Sequence, residues 1–168
     1  MRKTQLSPVP GLLLVIAMLS YGCSPAQTPV ERGEYLAHVM ACVECHTPGV
    51  LTGGERGADL AGSEFGYGIP GLGVFHGPNL TPDVETGLGS WSEQDIIKAV
   101  RTGERPDGRI LAAAMPWRAF AALTDADAHA LATYLKSLDP VSNQVPGPFG
   151  PNETPTGMYY KFMIPGRD

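Results

Sequence analysis

The residues Cys42-Val43-Glu44-Cys45-His46 set two thiols three positions apart, with an imidazole directly after the second. Three chemistries use such a pair. It closes a reversible disulfide, it supplies half of a tetrahedral zinc site, or it bonds through both sulfurs to the vinyl groups of a haem. The rest of the chain weighs these against one another. A thioredoxin-type dithiol follows a strand in an α/β fold, and no βαβ pattern is readable here. A structural zinc ion wants a second ligand pair, whereas His38, His76 and His129 are scattered and unpaired. Covalent haem attachment needs both thiols and the adjacent His46, whose imidazole lands under the iron. The pattern points to one covalent haem c, with zinc or a redox dithiol as the remaining readings.

Iron held by His46 has a sixth position to fill. Met115, Met158, Met163, His76 and His129 are the downstream candidates. His129 follows an acidic helix start and suits a solvated helix surface. His76 lies in a glycine-rich loop from which it could reach the iron. Met158 and Met163 sit in the tail, where methionine more often docks as an apolar side chain. Met115 stands in "RPDGRILAAAMPWRAF" (105–120), between two helices, and Pro116 keeps it extended. That setting suits a side chain reaching inward from a loop. Its plain alternative is an ordinary core methionine.

Elements must position these groups, and three helices are readable. Residues 30–42 carry Leu36, Val39, Met40 and Val43 at helical spacing, so the first helix is expected to end at Cys42. In 92–103, Ser92 and Asp95 form a capping-box pattern, Trp91 and Ile96 sit at the staple positions, and Gly103 stops the helix. The third helix, 124–138, starts at Thr124, turns Leu131, Tyr134, Leu135 and Leu138 inward, and sets Lys136 near its negative end. Between the first two lie residues 47–91 with 12 glycines and no clear period. A loop of that length needs something other than protein to organise it. The expected fold class is all-α: three main helices wrapped around one covalent haem, with long Gly/Pro-rich loops.

The N-terminus reads as an export signal. Arg2 and Lys3 precede "GLLLVIAML" (11–19), a run too short to span a bilayer, and small residues follow. The third cysteine, Cys23, ends this segment. "LSYGCS" (19–24) resembles a bacterial lipobox, which makes Cys23 a lipidation site, although Ser20 and Tyr21 replace the usual residues. Cleavage after Ala26 is the competing route. The expected organisation is a signal peptide over 1–22, a linker over 23–29, a haem domain over 30–141 and a Pro/Gly-rich tail over 142–168. The expected location is a bacterial periplasm, on a membrane through the lipid at Cys23. The formal charge of −5 becomes −7 once Arg2 and Lys3 are removed, which argues against nucleic-acid binding.

The order of cysteine-pair helix, long loop, capped helix, Met-Pro loop and final helix resembles the class I cytochromes c. More narrowly, "GPNLTPDVETGLGSWSEQDIIKAVRTGERPDGR" (77–109) and "AMPWRAFAALTDADAHALATYLKSLDPV" (114–141) are similar to the cytochrome c domains of bacterial membrane dehydrogenases for alcohol, aldehyde and gluconate. The resemblance implies thioethers at Cys42 and Cys45, iron ligation by His46 and Met115, and a Pro78 carbonyl accepting the His46 Nδ1 proton. It also implies that Trp91 and Arg109 pack on or pair with the haem propionates. Those subunits often carry three haem motifs, whereas this chain has one. The function so implied is single-electron transfer, without catalysis, between a periplasmic dehydrogenase and a respiratory acceptor such as a terminal oxidase. Two other readings stand beside it: a haem enzyme or gas sensor with a displaceable sixth ligand, and a surface adaptor whose tail grips a dehydrogenase subunit.

Overall fold

Helix α1 (Pro29–Val39) begins where Thr28 and Glu31 satisfy each other in a capping box, with Pro29 at the first helical position. The computed structural model in which it is seen describes residues 26–163 and Pro165. The expected signal segment and Cys23 lie outside the described residues. The first helix stops three residues earlier than the sequence suggests. Met40 ends it, and Ala41 takes a left-handed conformation at φ 58° and ψ 30°. A separate short helix, α2 (Cys42–His46), then leaves at a new angle. Gly33, Leu36 and Ala37 are the buried positions of α1, while Val39 is 58% exposed.

The capping signals downstream mark α3 (Glu93–Thr102) and α5 (Asp125–Ser137). Ser92 and Asp95 bond reciprocally, and Gly103 closes α3 at φ 76°. Thr124 accepts from the Asp127 amide at the start of α5. A short α4 (Trp117–Phe120) lies between them. Helices α1 and α5 cross closely because Gly33 has no side chain: a methyl there would run into the Ala130 carbonyl and Tyr134 Cβ. Arg32 Nε pairs with Asp127 at 2.8 Å beside that crossing. Leu36, Val43, Leu60, Ile96, Leu131 and Leu135 form much of the core beneath it.

The expectation of an all-α chain is overturned. Among the described residues are five helices, only three of them long, and a three-stranded sheet in the order β2-β1-β3. Strands β1 (Phe65–Ile69) and β2 (Gly73–His76) pair antiparallel with Tyr67 opposite Phe75. Strand β3 (Met158–Lys161), from the tail, lies parallel to β1 with Tyr160 opposite Tyr67. Two physical reasons hid the sheet. Gly66 and Gly68 blank every second position of β1, so its alternation shows only as Phe65, Tyr67 and Ile69. The partner strand is some 90 residues away, and parallel pairing leaves no local turn signal.

The segment after residue 141 is tied to the domain by buried amides. Asn79 Nδ2 donates to the Val141 carbonyl at 2.7 Å, and Asn143 Nδ2 donates to the Ala61 carbonyl at 2.7 Å. Phe149 exchanges backbone bonds with Val74 on β2.

Two outcomes are expected. Gly33→Val should lose about 3 kcal/mol, because overpacking a tight crossing is costly; urea unfolding measures it. The Asp127 carboxyl is held below its usual range, chiefly by Arg32 and then Thr124, and Asp95 is lowered by Ser92. A folded pKa below the unfolded one adds stability above roughly pH 4 that is lost as the pH falls. Thermal midpoints should therefore drop below about pH 4, with a shallower slope there in Asp127→Asn.

Candidate haem-binding site

Helix α2 is too short to hold itself together, so its neighbours place it. The loop before Pro78 approaches so closely that a methyl at Gly77 would strike the Cys45 carbonyl. That approach sets His46 Nδ1 2.8 Å from the Pro78 carbonyl, an N–H donor to a backbone acceptor, with the ring 6% exposed. The bond fixes the tautomer and leaves Nε2 as the free lone pair. Burial lowers the His46 pKa, with the Pro78 bond opposing it, so the imidazole is neutral and able to ligate. Burial pushes the Cys42 thiol up to about 11.

These groups open onto a pocket of about 450 Å³, within the range of pockets that hold small molecules or cofactors. Cys42, Cys45, His46, Pro78, Trp91 and Arg109 all line it, and so does Met115. Ile96, Ala99, Leu131 and Leu135 supply apolar wall from α3 and α5. Of the other candidates for a sixth ligand, only His76 reaches this pocket. Met158 and Met163 are exposed outside it, and His129 lies on the surface of α5, 3.8 Å from Glu93.

Two guanidiniums, Arg105 and Arg109, line the pocket together with one carboxylate, Glu85. The Arg105 guanidinium lies 5.0 Å from the Trp91 ring centroid and its Nε donates to Asp107 at 3.2 Å. Partial desolvation and the neighbouring Arg105 lower the Arg109 pKa, with Asp107 opposing. The two guanidiniums place charged N–H donors beside an apolar cavity. Lys136 lies in the last turn of α5 as expected, and it donates to the carbonyls of Leu88, Gly89 and Trp91, which anchors the Trp91 segment to α5.

Residues that the sequence did not single out complete the wall. Tyr67 and Phe75 face the pocket from the sheet, and the Tyr67 hydroxyl lies 3.2 Å from Cys45 Sγ. Burial is the main cause that raises the Tyr67 pKa, so this phenol is neutral. Arg105 lines the pocket as well, from the loop after α3. His76 is buried, with neither ring nitrogen paired.

Two thiols, a neutral imidazole, apolar walls and two guanidiniums lining one pocket suit a flat apolar macrocycle bearing carboxylates. The sequence profile of the cytochrome c family matches residues 30–139. The chain belongs to the cytochrome c family. That family carries covalently bound haem c and transfers electrons. The chain is 32% identical over 159 residues to the cytochrome c subunit of a quinone-type alcohol dehydrogenase from Gluconobacter oxydans, covering 88% of this chain and 31% of that one. It is 36% identical over 137 residues to the cytochrome c subunit of a gluconate 2-dehydrogenase from Pantoea cypripedii, covering 80% and 28%. It is 38% identical over 127 residues to a fructose dehydrogenase cytochrome subunit from Gluconobacter japonicus, covering 71% and 24%. The chain thus spans less than a third of the length of these relatives.

Gly77→Ala should part the loop from Cys45 and break the His46–Pro78 bond. Losing a bond worth about 1.5 kcal/mol corresponds to roughly tenfold faster solvent exchange of the His46 ring proton. Proton NMR of the variant and the parent measures it.

Proposed function

We propose that this chain is a monohaem electron carrier that passes single electrons between a periplasmic dehydrogenase and a respiratory acceptor. One observation carries the reading: Cys42, Cys45, His46 and Met115 line the same apolar pocket, with the Nδ1 face of His46 already used by Pro78. Cys42 and Cys45 would hold the haem as thioethers, and His46 Nε2 and the Met115 sulfur would ligate its iron. When bound, the haem supplies a one-electron Fe(III)/Fe(II) couple, and a thioether ligand favours the reduced form.

The chain's own residues do the rest. Pro78 orients the proximal ring and raises its basicity. The walls from α3 and α5 exclude water, while Arg105 and Arg109 offer counter-charges to carboxylates. Were His46 and Met115 both to ligate the iron, substrates would have no open site, as a carrier rather than a catalyst requires. The relatives' names support a dehydrogenase as donor. The signal-like N-terminus and Cys23 support export and a lipid anchor in the bacterial periplasm, where a terminal oxidase or its donor would accept the electron.

Oxidised protein should show the near-infrared sulfur-to-iron charge-transfer band, and Met115→Leu should abolish it and lower the reduction potential. A wild-type spectrum without that band rejects the methionine. CO binding to the reduced protein within seconds would favour the alternative, a sensor or enzyme with a displaceable sixth ligand. Mass spectrometry of the mature protein counts the haems and reads lipidation at Cys23.

A further inference from the structure

One aromatic residue on each strand stands in register across the sheet: Phe75 on β2, Tyr67 on β1 and Tyr160 on β3. The row begins inside the pocket, where Phe75 and Tyr67 form wall and Tyr67 meets the Cys45 sulfur. It ends at the surface. The Tyr160 ring lies 4.6 Å from Phe65 and 6.4 Å from Tyr67, centroid to centroid, yet Tyr160 is 58% exposed. Strand alternation sets Met158 and Phe162 on the same face as Tyr160, and both are more than half exposed. Among the described residues β3 pairs only with β1, so its outer edge is open.

We propose that this face is where the redox partner docks: a protein with an uncharged, apolar surface that covers Met158, Tyr160 and Phe162. This rests on the electron-carrier reading above. One electron leaves the reduced carrier beside Cys45, one partner centre is reduced by it, and no proton or ligand moves. Three features favour this occupant. The patch is continuous with the pocket wall through Tyr67, so a partner seated there lies against the redox site. Lys161 is the one charged residue in 158–163, too little to hold an anionic membrane at about 1 kcal/mol per basic residue. Two copies of the chain carry the same net charge of −5 and repel each other, which disfavours self-association.

The experiment uses the haem-loaded protein and two oxidants in stopped flow. Ferricyanide needs no docking face, and a small blue-copper protein with an apolar face stands in for the partner. Tyr160→Ser/Phe162→Ser should slow electron transfer to the copper protein about tenfold, the loss of two apolar anchors, and weaken its affinity in an NMR titration equally. Ferricyanide reduction should change less than about twofold, and wild-type rates should be nearly independent of salt. Phe162→Ser alone makes none of the ring contacts, so slowing by it with unchanged amide exchange in β3 separates docking from folding. The proposal is overturned if the copper protein reacts equally with the variants, or if Ile110→Ser, an exposed residue away from the sheet, slows it instead. It is also overturned if sedimentation shows a dimer, or vesicle flotation of a Cys23→Ser protein shows lipid binding, that Tyr160→Ser/Phe162→Ser abolishes. A wild-type protein that fails to reduce ferricyanide would instead defeat the electron-carrier reading itself.

Discussion

The hydrogen bond from the His46 ring to the Pro78 carbonyl joins segments 32 residues apart, and the site is arranged around it. It decides which ring nitrogen is free and which way the ring faces. It also sets where the two thiols of α2 open. It exists because Gly77 brings backbone against backbone, a proximity no side chain would tolerate. A five-residue helix has little stability of its own, so tertiary contact does the work that propensity cannot.

From that contact the rest follows in layers. Ala41 ends α1 in a left-handed conformation that a β-carbon makes unfavourable by about 1 kcal/mol, and so redirects the chain toward the pocket. The α1–α5 crossing at Gly33 brings Leu36 together with Leu131 and Leu135 in the core cluster that also holds Val43 of α2. Lys136 holds the Trp91 segment from the other side, through three carbonyls. A single buried asparagine, Asn79, uses both ends of its amide, accepting from Thr81 and donating to Thr86 and Val141. It thereby links the loop after Pro78 to the start of the tail.

The pocket has apolar walls, two guanidiniums in its lining and, at its border, a sheet whose aromatic face extends to the surface. Apolar walls keep water from a charged centre, and the guanidiniums sit where carboxylates would otherwise be uncompensated. The sheet gives the chain a feature that the helices alone do not: a rigid, uncharged face beside Cys45. Its third strand comes from the tail, which the sequence suggests only as an extended segment.

Local rules made the site's chemistry legible. The Cys42–Cys45–His46 spacing, the Ser92–Asp95 and Thr124 caps, Gly103 and the Met115–Pro116 pair depend on neighbours within a few residues, and local patterns survive reading along the chain. The same reading misplaced the end of the first helix, since nothing in "HVMACV" announces a left-handed alanine, and it put Val39 inside when it faces solvent. It missed the sheet because glycines mask the period of β1 and because β3 is distant in sequence. Tyr67 and Lys136 acquire their roles only from partners more than a dozen residues away, and such pairings are decided by packing. The sequence by itself determined which atoms could bind a haem; the tertiary structure decided that they face one pocket, because only the close approach at Gly77 and the crossing at Gly33 bring them together.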